Sequence, residues 1–170
     1  AWKLAPALVS GNTVVLKPAS LAPAMTLEIA KAFEEAGLPK GVLNIVTGSG
    51  KEVGDALATN PTVQAVSFTG SHEVGSGIYQ QLAPRMARAQ MEMGGKNPTI
   101  VLADADLDYA AKLVAMAGYM MTGQVCTATS RAIVEESVAD EFTEKLIAEA
   151  KSRTVGNGLT EGVNMGPAVS

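Results

Sequence analysis

The sequence predicts an α/β protein in which parallel strands are joined by crossover helices. Three observations carry that expectation. Short β-branched or apolar runs alternate with stretches of helical spacing. The links between them are short and carry Gly or Pro. The strand runs are apolar on both faces, as a parallel sheet requires.

The elements follow in order. Residues 13–16, Thr-Val-Val-Leu, lie between Gly11 and Pro18 and read as a buried strand. Over residues 24–36, Met25, Ile29, Ala32, Phe33 and Ala36 recur at helical spacing, and Gly37 and Pro39 supply the stop. Residues 42–46 are a second strand. Residues 52–58 are a short helix ending before Asn60-Pro61. A third strand, 63–68, closes on Thr69-Gly70, and a helix over 71–82 stops before Pro84. Residues 88–93 are a short fourth strand. This order is that of a Rossmann-like parallel sheet with crossover helices.

After Gly94-Gly95 the start of a second α/β domain is expected. It opens with a strand at 97–102 holding Pro98, then Asp104-Ala105-Asp106 as an acidic helix start. The helix over 107–121 has an apolar face through Leu107, Ala111, Val114 and Ala115. A strand at 132–134, an amphipathic helix at 139–151 and a loop at Gly156-Asn157-Gly158 complete it. The expected division is residues 1–94 and 95–170.

Composition narrows the function. Of 170 residues, 47% are hydrophobic, enough for a real core. Thirteen basic and 17 acidic residues give a net charge of −4, so no basic stripe exists for nucleic acid. Aromatics at 4% argue against base stacking. The single cysteine, Cys126, excludes an internal disulfide and favours a reducing, cytoplasmic setting. No apolar run is long enough to span a membrane. Ala1-Trp2-Lys3-Leu4 lacks the form of a signal peptide, and Met165-Gly166-Pro167-Ala168-Val169-Ser170 offers no closing element. Both ends therefore read as cut.

Several residues are candidates for chemistry. Cys126 sits in Gly123-Gln124-Val125-Cys126-Thr127, between a helix and a strand. A loop there would let the thiol meet a substrate; the other reading is a buried, inert cysteine. An ordinary thiol is only about 3% ionised at neutral pH, so a reactive one needs help from its surroundings. Glu92, in Met91-Glu92-Met93-Gly94-Gly95-Lys96, ends a strand between two methionines. Partial desolvation would suit it to general-base work; otherwise it is an edge carboxylate facing water or paired with Lys96.

Gly70-Ser71-His72-Glu73-Val74-Gly75 turns a strand into a helix whose unpaired N–H groups can bind phosphate. Its G-x-x-x-x-G spacing differs from the G-x-G-x-x-G fingerprint, and the other reading is a plain helix cap. Gly48-Ser49-Gly50 is a similar turn. Lys17, before Pro18-Ala19-Ser20, stands at a strand's carboxyl end, where such folds open their ligand crevice; otherwise it is solvated. His72 is the only histidine and reads as a surface residue, so neither a Ser/His/Asp triad nor a His-rich metal site can be built.

Together these segments resemble the aldehyde dehydrogenase superfamily along the whole chain. The matching stretches are Trp2-Lys3-Leu4-Ala5-Pro6-Ala7-Leu8, Gly11-Asn12-Thr13-Val14-Val15-Leu16-Lys17-Pro18-Ala19, Phe68-Thr69-Gly70-Ser71, Met91-Glu92-Met93-Gly94-Gly95-Lys96, Gly123-Gln124-Val125-Cys126 and Asn164-Met165-Gly166-Pro167. The resemblance implies NAD- or NADP-dependent oxidation of an aldehyde or semialdehyde to a carboxylic acid. Cys126 would attack the carbonyl to give a thiohemiacetal. Hydride transfer to nicotinamide would leave a thioester, and Glu92 would activate the water that hydrolyses it. The Cys126 backbone N–H would stabilise the oxyanion. Lys17 and Ser20 would face the adenosine ribose and Ser71 the pyrophosphate. Gly50, Phe68, Thr69, Gly70, Met93 and Gly94 complete the cofactor residues. Val125 and Thr127 would touch substrate, and no metal is implied.

The resemblance carries further expectations. Glu92 favours hydrolysis over acyl transfer to coenzyme A. Gly94-Gly95-Lys96-Asn97-Pro98 with Thr122-Gly123-Gln124 looks closest to dehydrogenases of semialdehydes such as 2-oxoglutarate semialdehyde. The complete enzyme would be a homo-oligomer. Segments that supply the oxyanion-hole Asn, the nicotinamide-ribose contact and the oligomerisation strands are not in this sequence. The 170 residues alone are therefore expected to be inactive: the latter part of a dinucleotide-binding domain and the first part of a catalytic domain. A truncated nucleotide-binding fragment and a noncatalytic relative are the other readings.

Where many NAD-preferring members carry Glu, this chain has Ser20. A carboxylate there would repel a 2′-phosphate by about 4 kcal/mol at 4 Å and an effective dielectric near 20. NADP should thus be accepted. Ser20→Glu in the protein encoded by the complete gene should shift the NADP/NAD ratio of kcat/KM toward NAD by about tenfold or more; an unchanged ratio would sink this reading of Ser20.

Overall fold

The computed structural model describes residues 2–169; Ala1 and Ser170, named above at the two ends, lie outside them. The chain divides into two compact units between Glu92 and Met93. In order, the first holds α1 (Leu4–Val9), β1 (Val14–Leu16), α2 (Pro23–Glu35), β2 (Leu43–Ile45), α3 (Asp55–Thr59), β3 (Ala65–Gly70), α4 (His72–Leu82) and β4 (Arg88–Met93), whose last residue crosses the boundary.

β1 and β2 are parallel, with Val14 opposite Leu43 and Leu16 opposite Ile45. A parallel pair needs a crossover, and α2 supplies it. Pro23 sits in the first turn of α2, where a missing N–H costs nothing. The helix closes in a Schellman arrangement. Leu38 N–H donates to Phe33 O and Gly37 N–H to Glu34 O, both at 3.0 Å, with Gly37 at φ +84°.

The short helix expected at 52–58 begins instead as a π turn at Gly50–Gly54 that runs into α3. Ser49 caps it, accepting from Glu52 N–H at 3.0 Å and donating to Glu52 Oε2 at 2.9 Å. The strand expected at 63–68 is displaced to Ala65–Gly70. An Asn60 turn precedes it: Oδ1 accepts from Thr62 N–H at 2.9 Å, and Asn60 O takes the Val63 N–H at 3.1 Å.

β3 pairs with β4. Both alternate: Ser67, Gln90 and Glu92 are exposed, while Val66, Phe68, Met91 and Met93 are half-buried. Among the described residues of this unit, Leu4, Pro18, Ala58 and Leu82 are buried. Arg85 ties the end of α3 to the entry of β3, donating to Val63 O and, at 2.8 Å, to Ala58 O.

The second unit holds β5 (Asn97–Val101), α5 (Leu107–Tyr119), β6 (Thr129–Val134) and α6 (Ala139–Lys151). Asp106 caps α5, accepting from Tyr109 N–H at 3.0 Å. The helix expected over 107–121 stops at Tyr119, because Met121 and Thr122 turn left-handed. β5 and β6 are parallel, from Asn97 opposite Thr129 to Val101 opposite Val134. β6 starts three residues before the expected 132 and carries a register shift opposite Asn97 and Pro98. A proline has no N–H for the ladder, and a bulge is where a strand tolerates one.

Val101, Ala111, Val114 and Phe142 form the core, with Ala132, Val134 and Leu146 packed against it. Ala111 is fully buried, and its small side chain admits close helix packing. Lys145 straps α6 to α5 through Asp108 at 2.6 Å, with Glu141 at 3.6 Å. The hydrogen bond to Asp108 raises the Lys145 pKa above 10.5. The other face of the ladder is open: Ile100 and its partner Ile133 are 66% and 50% exposed. Among the described residues no helix is long and apolar enough to cross a membrane.

Phe142 is 1% exposed in the centre of that core. Phe142→Ala should lower the unfolding free energy by about 3–5 kcal/mol in a urea titration followed by circular dichroism. A loss below about 1 kcal/mol would show that Phe142 lies outside the cooperative core.

Candidate active site

Cys126 is exposed, on the loop between α5 and β6. Its turn closes through Ala128 N–H donating to Val125 O at 3.0 Å. Val125, before the thiol, is half-buried, and Thr127, after it, is exposed. The chain enters the turn through a left-handed run: Met121, Thr122 and Gly123 have φ of 52°, 61° and 70°. For the two residues with a Cβ that conformation costs about 1–3 kcal/mol each. Such strain persists only where the surroundings impose it.

The surroundings are visible on both sides. Asn97 Nδ2 donates to Cys126 O at 2.7 Å and to Ala128 O at 3.1 Å, so both amide hydrogens hold the turn. Opposite, Val169 N–H donates to Gln124 Oε1 at 2.8 Å. Thr122 Oγ1 makes longer bonds to Gly166 O and Pro167 O, at 3.3 and 3.4 Å. The result is an exposed thiol on a turn whose carbonyls are hydrogen-bonded to Asn97.

Glu92 is exposed near the carboxyl end of β4, with half-buried Met93 and exposed Gly94 following. It forms no ion pair with Lys96 among the described residues. Its partner is the neighbour two residues back: Gln90 Nε2 donates to Glu92 Oε1 at 2.6 Å. Gln90 Oε1 accepts in turn from Lys3 Nζ at 2.9 Å and from Ser67 Oγ. Lys3 Nζ also donates to Ser67 Oγ at 2.8 Å and Phe68 O at 3.2 Å. Glu92 belongs to the first unit and Cys126 to the second.

The remaining residues gather at strand ends. Lys17 follows β1 and is half-buried; its Nζ donates to Pro18 O at 2.8 Å and Gly48 O at 3.3 Å. The ammonium thus bridges the carboxyl ends of two parallel strands, beside the Gly48-Ser49-Gly50 turn. Ser20 lies exposed three residues on. Thr69 and Gly70 close β3. A Cβ at position 70 would overlap the Phe68 ring as it stands, so a side chain there would require the ring to move. Ser71 caps α4, its Oγ accepting from Val74 N–H at 3.3 Å. The amides of His72 and Glu73 precede the first intrahelical bond, from Gly75 N–H to Ser71 O, and are available to an anion. His72 is exposed in that first turn. Among the described residues no three His, Cys, Asp or Glu side chains converge as a metal site.

Lys3, Ser67, Gln90 and Asn97 take part in these arrangements, although the motifs assign them no role. For Gln90 a signal existed. Residues two apart on a strand share a face, which puts its amide beside the Glu92 carboxylate. Asn97 reaches the Cys126 turn only through strand pairing, which no local pattern displays.

The profile of the aldehyde dehydrogenase family matches residues 1–170. The chain is 54% identical over its full length to the alpha-ketoglutarate semialdehyde dehydrogenase of Haloferax volcanii, covering 35% of that protein. It is 49% identical to the 2,5-dioxopentanoate dehydrogenase of Saccharolobus solfataricus, over 99% of this chain and 35% of that one. The crystal structure of an aldehyde dehydrogenase from Brucella melitensis biovar abortus superposes with a TM-score of 0.97 at 45% identity, over 99% of this chain and 35% of that one. The betaine aldehyde dehydrogenase of Staphylococcus aureus, solved in complex with NAD+, gives 0.95 at 41% identity, over 99% and 34%. The chain thus spans about a third of the length of the curated relatives it matches. With the match running its full length, the chain belongs to the aldehyde dehydrogenase family.

Proposed function

We propose that the protein containing this chain oxidises an aldehyde to a carboxylic acid with NAD or NADP, and that its substrates are semialdehydes of the 2-oxoglutarate semialdehyde type. The observation that carries this reading is Cys126: an exposed thiol on a turn clamped by Asn97, in a chain matched by the family from end to end. The 54% identity to an alpha-ketoglutarate semialdehyde dehydrogenase supports the substrate class. Residues 1–94 are read as the latter part of the dinucleotide-binding domain and 95–170 as the first part of the catalytic domain. A homo-oligomeric, cytoplasmic enzyme completes the reading, supported by the family and the lone cysteine.

The residues present fit a dinucleotide. Lys17 offers a cation at the ends of β1 and β2, the capped start of α4 offers free amides, and Gly70 keeps the end of β3 free of a side chain. The bound NAD+ of the Staphylococcus aureus relative supports the same choice. When bound, the dinucleotide supplies the hydride acceptor.

The chain's own residues do the rest. The Cys126 thiolate adds to the aldehyde carbon, forming a C–S bond and placing negative charge on oxygen. The Cys126 backbone N–H donates to that oxygen. Loss of the aldehyde hydrogen as hydride leaves a thioester on Cys126. Glu92 takes a proton from water; the hydroxide adds to the acyl carbon, and the C–S bond breaks to return thiolate and acid. Val125 and Thr127 line the approach to the thiol.

Two substitutions in the protein encoded by the complete gene test this. Cys126→Ser should lower aldehyde-dependent NAD(P)H formation about a thousandfold or more. Glu92→Gln should lower steady-state turnover by roughly 100-fold or more and leave iodoacetamide labelling of Cys126 intact. Aldehyde oxidation retained by Cys126→Ser would refute the mechanism.

A further inference from the structure

We propose that Gln90 is a positioning residue for Glu92, holding one carboxylate oxygen while leaving the other to water. The inference rests on the reading of Glu92 as the hydrolytic base. A directed relay from three elements carries it. Lys3, at the start of α1, has three N–H donors and three acceptors: Ser67 Oγ and Phe68 O on β3, and Gln90 Oε1 on β4. An ammonium cannot accept, so the oxygen of the Gln90 amide must face Lys3. Ser67 Oγ donates to the same oxygen. The amide nitrogen is thereby forced toward Glu92, where it donates to Oε1 at 2.6 Å.

This arrangement differs from a direct ion pair. Lys3 orients Glu92 through a neutral amide, and its charge stays one residue away from the carboxylate. A lysine in contact would hold the carboxylate as an anion partner and occupy the oxygens that must meet water. Gln90 instead uses Oε1 alone. The alternation of β4 places both side chains on its exposed face, and the pairing with β3 brings Ser67 alongside. Such a device serves the step in which Glu92 takes a proton and has no part in the addition of Cys126 to the aldehyde.

That separation makes the role measurable. In the protein encoded by the complete gene, with 2-oxoglutarate semialdehyde and NADP+ as probes, Gln90→Met keeps the volume and removes all three amide contacts. First-turnover NAD(P)H formation, the acylation burst, should be unchanged. Steady-state turnover should fall about tenfold or more, as expected for loss of a hydrogen bond to a charged group. Ser67→Ala, which removes one of the two donors orienting the amide, should slow steady-state turnover about threefold with the same intact burst. If Gln90→Met does not fold, Ser67→Ala decides. Burst and steady state falling together, or neither changing, would overturn the role of Gln90 and leave the assignment of Cys126 and Glu92 standing. An unaltered protein with no aldehyde-dependent turnover would overturn both.

Discussion

A parallel strand pair cannot be closed by a hairpin, and the settings of Lys17 and of the Cys126 turn depend on that constraint. The crossover must carry the chain back to the edge where the first strand began. Like ends of the two strands then lie side by side. β1 and β2 end together, so Lys17 reaches Gly48 O across 31 residues of sequence. β5 and β6 begin together, so Asn97 stands opposite Thr129 and within reach of the loop before it. In one pair the carboxyl ends gather polar groups; in the other the amino ends gather around the thiol.

The Cys126 turn shows how a strained segment is held. Two non-glycine residues in the left-handed region cost about 1–3 kcal/mol each. A single hydrogen bond returns only about 0.5–1.5 kcal/mol net. No one contact suffices, and several converge: two from Asn97, one from Val169 and weaker ones from Thr122. Beneath them, Val101, Ala111, Val114 and Phe142 hold β5, α5 and α6 together as one packed base. The bulge opposite Pro98 has a positive use here, since it lies at the Asn97 end of the ladder. Backbone clamps thus place the thiol, whereas a relay of side chains places Glu92.

Phe68 and Gly70 are coupled in a different way. The strand turns its ring back over its own last residue, and the absence of a Cβ at that residue makes room for it. The chain then passes straight into Ser71 and α4, where Ser71 Oγ takes the Val74 amide and those of His72 and Glu73 precede the first intrahelical bond. One glycine thus settles the packing at the end of β3.

Short apolar runs and the helical spacing between them by themselves determined the order of strands and helices from β1 onward, because they record which side chains each element must bury. Motif chemistry marked Cys126, Glu92 and Lys17, because a thiol, a carboxylate or an ammonium at a strand end or loop is legible wherever the chain goes. Boundaries were less legible. The π turn at Gly50–Gly54, the displacement of β3 and the left-handed run after Tyr119 arise from caps and turns that override hydropathy. The supporting residues were hidden for a stronger reason. Lys3 is 87 residues from Gln90, and Asn97 is 29 from Cys126. A hydrogen bond needs two atoms about 3 Å apart, and only the folded chain brings groups so distant in sequence to that separation.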